Sequence, residues 1–227
     1  MAGRGVVEKE DKQPHPRVVF LTKGNEWKPA VDPLHFDKPA AGVGLGKRFA
    51  EKIGEANPGI MVGLVPCAVG GSPIDAWKPG VFYAPTKSHP WDDAVKRVKI
   101  AAQAGEFKGI LWHQGESDST PMLAGKYEEK LHDLIARLRN ELGEEVPFIV
   151  GQLGQFSDKP WDKEKTVVGK VLKDLPGKVK GTAFADSTGL KHKGDGVHFD
   201  SAGYRALGNR YANAFLKLTQ KQKPSSR

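Results

Sequence analysis

Three short stretches carry side chains able to do chemistry together. Near the end of the chain, Gly194-Asp195-Gly196-Val197-His198 sets a carboxylate three residues ahead of an imidazole in a loop rich in glycine. Such a loop lets the carboxylate accept from one ring nitrogen while the other faces a cleft, as the base and its orienter do in a hydrolytic triad. In mid-chain, Trp112-His113-Gln114-Gly115-Glu116-Ser117-Asp118 supplies an amide that can donate to a developing oxyanion, and a second carboxylate. Earlier still, Gly70-Gly71 follows an apolar run. Paired glycines there let backbone N–H groups point outward at the same level as Gln114 and Glu116. His198 is the candidate base, Asp195 and Glu116 compete as its acid, and Gly70, Gly71 and Gln114 are candidate oxyanion donors.

Each stretch also has a plainer reading. Asp-x-x-His is a frequent surface pairing in which the aspartate caps a turn. Gln114 and Glu116 can belong to a loop that only caps the next helix. Ser72, Ser117 and Ser119 lie near the same edge, but none stands in an elbow such as G-x-S-x-G. His113, Glu116, His192, Asp195 and His198 are metal-ligand types. No H-E-x-x-H or Cys/His spacing accompanies them, and positions 113 and 116 diverge on a strand end, so no metal site is expected. Cys67, the single cysteine, excludes an intrachain disulfide and reads as a small buried hydrophobe rather than a nucleophile.

The elements that must hold these loops follow from the apolar pattern. Arg17 to Thr22, Gly59 to Val65, Phe107 to Trp112, Pro147 to Gly151 and Gly181 to Ala185 have strand length. The run Gly59 to Val65 is continuously apolar, the mark of a strand covered on both faces. Helices are expected over 44–56, 92–104, from Thr120 (N-cap) and Pro121 onward through Leu142, over 162–174, and after an N-cap at Asp200. Three prolines make Trp27 to Ala41 an irregular excursion. Alternating strands and helices predict a parallel sheet between helical layers. Ligands then sit at the carboxyl ends of the strands, where all three loops emerge.

A chain of 227 residues, 38% hydrophobic, can bury one sizeable core, and a single domain over 1–219 with a polar tail at 220–227 is the expectation. Lys and Arg exceed Asp and Glu by 35 to 27, yet they are scattered among acidic residues except for Lys217, Lys221, Lys223 and Arg227. With no basic stripe beside aromatics, nucleic-acid binding is not expected. No apolar run reaches the length of a membrane span, and Met1 to Asp11 has no signal-peptide character.

VPCAVGGSPIDAW, WHQGESD and DGVHF, in this order, resemble the carbohydrate O-acetylesterases of the SGNH-hydrolase superfamily, sialate O-acetylesterase-like and acetyl xylan esterase-like proteins. The resemblance runs from about residue 1 to residue 216. It implies an α/β/α three-layer sandwich with a flavodoxin-like sheet. It also implies removal of acetyl esters from sugars through an acyl-serine, without metal or organic cofactor. Position by position, His198 matches the general base, Asp195 its orienter, Glu116 the glutamate of the Gln-Gly-Glu signature, and Gly70 or Gly71 and Gln114 the oxyanion positions. The nucleophile of that family lies in a Gly-Gln-Ser-Asn segment at the end of the first strand, followed by Met-Ala-Gly-Arg-Gly. This chain begins Met1-Ala2-Gly3-Arg4-Gly5. The resemblance thus places the serine and the first strand just upstream of Met1. The alternative is a carbohydrate-binding relic of the same fold without a nucleophile. Loss of that interior strand would leave the 60–65 and 107–112 strands without their shared neighbour. Members of the family are often exported, and no such signal stands in this chain.

Overall fold

A computed structural model describes residues 1–143 and 146–220. Its best-buried strand is Phe148–Gly151 (β5 in chain order), the apolar run Phe-Ile-Val that no solvent-facing strand would carry. Side chains alternate across a strand, so Phe148 and Val150 enter one core cluster while Ile149 enters the other. Both faces of the sheet are therefore covered, and the molecule has three layers.

Among the described residues six strands form the middle layer: Val18–Leu21 (β1), Trp27–Pro29 (β2), Val62–Leu64 (β3), Ile110–Trp112 (β4), β5 and Thr182–Ala185 (β6). They are laid out as two three-stranded sheets, in the orders β2-β1-β3 and β4-β5-β6. All pairings are parallel except β1 with β2. On one side pack Gly46–Ala56 (α1) and Ser201–Gln220 (α5), with Phe49, Ile53, Tyr204, Leu207 and Tyr211 turned inward. On the other lie Pro90–Ala101 (α2), Tyr127–Leu142 (α3) and Lys163–Asp174 (α4), which bury Trp91, Leu131, Leu134, Ile135, Val168 and Leu172. Asp162 caps α4 through the Lys165 amide, and Asp200 receives the Gly203 amide at the start of α5.

β3 and β4 face each other across a gap and pair with nothing on their facing edges among the described residues. A cavity of about 1700 Å³ runs along that gap, lined by Val62–Val65 on one wall, Gly109–Trp112 on the other and Phe49 and Phe215 from the helices. At the carboxyl end of β4 the Met1 ammonium donates to the His113 carbonyl at 3.0 Å. Arg97 of α2 ties the carboxyl ends of β1 and β3 to that helix. This buried guanidinium donates to the carbonyls of Leu21 (2.7 Å), Thr22 (2.9 Å) and Pro66 (3.2 Å).

Two expectations are corrected. The segment after Trp27 is not wholly irregular: Trp27–Pro29 pairs antiparallel with Val19–Leu21, with Pro29 on an edge strand where its absent N–H is not needed. The helix expected from Thr120 begins at Tyr127. Turns closing on the Thr120 carbonyl take up the residues between, so Thr120 and Pro121 are not its cap and first residue. The expected tail lies outside the described residues except for Gln220, the last residue of α5. No helix among the described residues is long and apolar enough to cross a membrane.

Candidate active site

The loop after β6 brings Asp195 and His198 together. The carboxylate Oδ2 lies 2.7 Å from His198 Nδ1, while Oδ1 accepts from the amides of Val197 (2.9 Å) and His198 (2.8 Å). Burial alone would raise the Asp195 pKa, but those two amides and the imidazole outweigh it and hold the carboxyl far below the usual carboxylate range. Asp195 is therefore an anion fixed against Nδ1 of the ring, with no hydrogen bond to Nε2 among the described residues. His198 lines the same cavity as Gly70, Gly71, Gln114, Glu116 and Met1.

The loop after β3 turns at Gly70-Gly71, closed by Ser72 N–H on the Val69 carbonyl at 3.3 Å. Gly71 has φ of +80°, which favours glycine there, and a Cβ on Gly70 would lie 2.3 Å from Arg4 Nη2 and 2.8 Å from Asp37 Oδ2, so a side chain at 70 would have to displace that ion pair. Their amides are not equivalent. Gly70 N–H is spent on Asp37 Oδ2 at 2.8 Å, while Gly71 N–H has no acceptor among the described residues.

Gln114 is likewise committed. Its amide nitrogen donates to the Ser72 carbonyl at 3.1 Å and, closely, to Asp118 Oδ2, and its oxygen accepts from Tyr127 Oη at 3.0 Å. Asp118, 1% exposed, also receives the Ile74 amide at 2.9 Å. Its burial pushes the carboxyl up against the pull of those hydrogen bonds. Gln114 and Asp118 thus stitch the glycine turn to the loop after β4. Glu116 lines the cavity and acts electrostatically on the Met1 amine, without a hydrogen bond to His198 among the described residues. Burial pushes that amine down to about 6 despite the Glu116 and Asp37 carboxylates.

The serines of the edge are engaged elsewhere. Ser72 Oγ donates to Val69 O and accepts from Trp77 Nε1, Ser117 Oγ donates to Gly71 O, and Ser119 Oγ donates to Gly115 O. Burial raises the Cys67 thiol to about 11, which keeps it protonated and non-nucleophilic. His113 bonds Tyr211 Oη through Nδ1, and His192 bonds Asp158, so neither joins the His198 cluster. Asp37 and Lys38, which grip the glycine turn, escaped the sequence reading. They lie 33 and 32 residues away in an irregular segment with no periodicity to mark them.

A parallel α/β sandwich that presents an Asp-anchored imidazole and a double-glycine turn to one cavity is the framework of a hydrolase. Comparison with known proteins gives the family. Residues 1–217 match the family described as carbohydrate esterase, sialic acid-specific acetylesterase, and the chain belongs to it. A probable carbohydrate esterase of Arabidopsis thaliana is 31% identical over 95% of this chain and 86% of its own length. The X-ray structure of that Arabidopsis protein superposes with a TM-score of 0.82 at 30% identity, covering 96% and 93% of the two chains. NanS has the same fold at 18% identity, with a TM-score of 0.76 over 97% of this chain and 93% of its own. A carbohydrate acetylesterase from Xanthomonas citri does so at 21% and 0.69, covering 90% of this chain and 49% of that one.

Proposed function

We propose that the protein hydrolyses acetyl esters on a carbohydrate through an acyl-serine. The serine comes from a segment ahead of Met1 that runs in the gap between β3 and β4. The carrying observation is the 2.7 Å His198–Asp195 contact beside a cavity that joins the glycine turn to this gap. Two features support the placement of the segment. Among the described residues β3 and β4 are each paired on one edge only, and the Met1 nitrogen already meets the first carbonyl beyond β4. A residue joined to Met1 would continue into the gap beside both strands.

In this reading His198 Nε2 takes the serine proton as the oxygen attacks the acetyl carbonyl. Asp195 holds the Nδ1–H and stabilises the imidazolium. The Gly71 N–H donates to the oxyanion, and Gln114 supports the turn from behind. His198 then protonates the departing sugar oxygen. Water, deprotonated by the same imidazole, releases acetate and restores the serine. Asp195 takes the role of triad acid, and Glu116 contributes charge to the cavity wall. No metal or organic cofactor enters these steps.

A second reading, a carbohydrate-binding protein without catalysis, is favoured for residues 1–227 alone by the engagement of Ser72, Ser117 and Ser119 away from His198. The two are separated by assaying p-nitrophenyl acetate hydrolysis with and without the in-frame upstream codons. The esterase reading expects activity only in the longer chain, with a loss of about 10⁴-fold or more in His198→Ala. An inactive longer chain, or an active His198→Ala, contradicts it.

A further inference from the structure

Resting on the esterase reading, we infer that Asp37 and Lys38 are positioning residues that choose which glycine amide meets the oxyanion. This dipeptide holds Gly70 at both of its backbone polar groups. Asp37 Oδ2 accepts from the Gly70 N–H at 2.8 Å, and Lys38 Nζ donates to the Gly70 carbonyl at 2.7 Å. The Asp37 side chain is 3% exposed, and its anion is paired with Arg4 Nη2 at 3.0 Å, while Arg4 Nη1 donates to the Gly3 carbonyl at 2.7 Å. The glycine turn is thus anchored to the segment that begins at Met1.

Two consequences follow from peptide geometry. Gly70 N–H cannot serve an oxyanion, because a buried carboxylate holds it and the alternative would leave that anion short of a partner. Lys38 fixes the Gly70–Gly71 peptide plane through its carbonyl. In a trans peptide the N–H points opposite to the C=O, so the same contact fixes the direction of the Gly71 N–H. Ser117 Oγ (2.9 Å) and Tyr83 Oη (2.8 Å) hold the next carbonyl, that of Gly71. Four side chains therefore pin two glycines whose own backbone is the least restrained in the chain.

The test uses the chain with its upstream segment and acetyl-ester kinetics. Asp37→Ala is expected to lower kcat about 10- to 100-fold with KM within about 2-fold, the signature of an interaction made in the transition state. Asp37→Asn, which keeps an oxygen acceptor for Gly70 N–H, should recover most of that loss. Equal losses in Ala and Asn, or an unchanged kcat in Asp37→Ala, overturn the inference. Should Asp37→Ala fail to fold, Lys38→Met against Lys38→Gln asks the same question, and rescue by the donor-bearing glutamine is the expected result. A readout independent of activity is amide hydrogen exchange in the 227-residue chain. Gly70 is expected to be at least about 100-fold better protected than Gly71, and equal rates overturn the inference. An inactive longer chain would remove the esterase reading and leave amide exchange to decide this one.

Discussion

The two half-sheets differ in what surrounds their strands. β5 has a parallel partner on each edge and is buried along its whole length. β3 has one partner, its residues are at most half-buried, and the run leading into it exposes Ile60 at 46% and Met61 at 58%. Both segments read as continuously apolar, so composition does not separate them. What separates them is a second neighbour. Backbone N–H and C=O groups left unpaired at an apolar edge are costly, and among the described residues β3 and β4 both carry such edges along the gap. The candidate site stands at the gap's carboxyl end, so the part of the sheet with unpaired edges among the described residues is the part that borders it.

The comparison is broken most forcefully by filling the gap. A chain carrying its upstream segment should melt about 10 °C or more above the 227-residue form, since several ladder bonds at about 1 kcal/mol each are added to a domain of this size. A cooperative, high-temperature melt of the 227-residue form, unchanged by extension, would show that the gap needs no strand. Next in size, Ile149→Ala in β5 should cost about 4 kcal/mol in denaturant unfolding, whereas Leu64→Ala in β3, facing a cavity that already exists, should cost under about 1 kcal/mol. Equal costs would erase the distinction.

Arg97→Ala is expected to cost about 3 kcal/mol, because the carbonyls of Leu21, Thr22 and Pro66 lose their shared donor. The loss should appear as faster amide exchange in β1 and β3 before β5. The smallest effect depends on pH. Burial, and secondarily the Asp11 carboxylate, raise Asp32 to about 7 from 3.8. Its folded pKa lies above the unfolded one, so its stabilising contribution is complete below about pH 4 and is lost as pH rises through about 7. Asp32→Asn should therefore gain on the wild type by about 2 kcal/mol between pH 5 and pH 8. A constant difference across that range would mean that Asp32 is ionised in the fold throughout.

The layered fold was legible because its strongest signals are local. Phe148-Ile149-Val150 and the Tyr127, Leu131, Leu134, Ile135, Leu138 stripe each announce burial by period alone. β2 was not, because Pro29 argues against a strand unless its place on the edge is known. The start of α3 was masked by turns that use the same residue types as a cap. In the site, the Asp195-x-x-His198 spacing gave a local geometry that the structure holds at 2.7 Å. The competition for hydrogen bonds was invisible. Gln114 carries an amide suited to an oxyanion, and only three-dimensional proximity shows Ser72 O and Asp118 taking it. Asp37 and Lys38 meet Gly70 across more than thirty residues, a pairing that no spacing rule supplies. The gap between β3 and β4 was anticipated through family resemblance, not from the apolar pattern.

The most direct measurement is covalent labelling of the longer chain with a fluorophosphonate, followed by peptide mass mapping. The account predicts a single adduct on a serine of the segment preceding Met1, abolished in His198→Ala, with no adduct on residues 1–227 alone. An adduct on Ser72, Ser117 or Ser119, or labelling indifferent to His198, would contradict it.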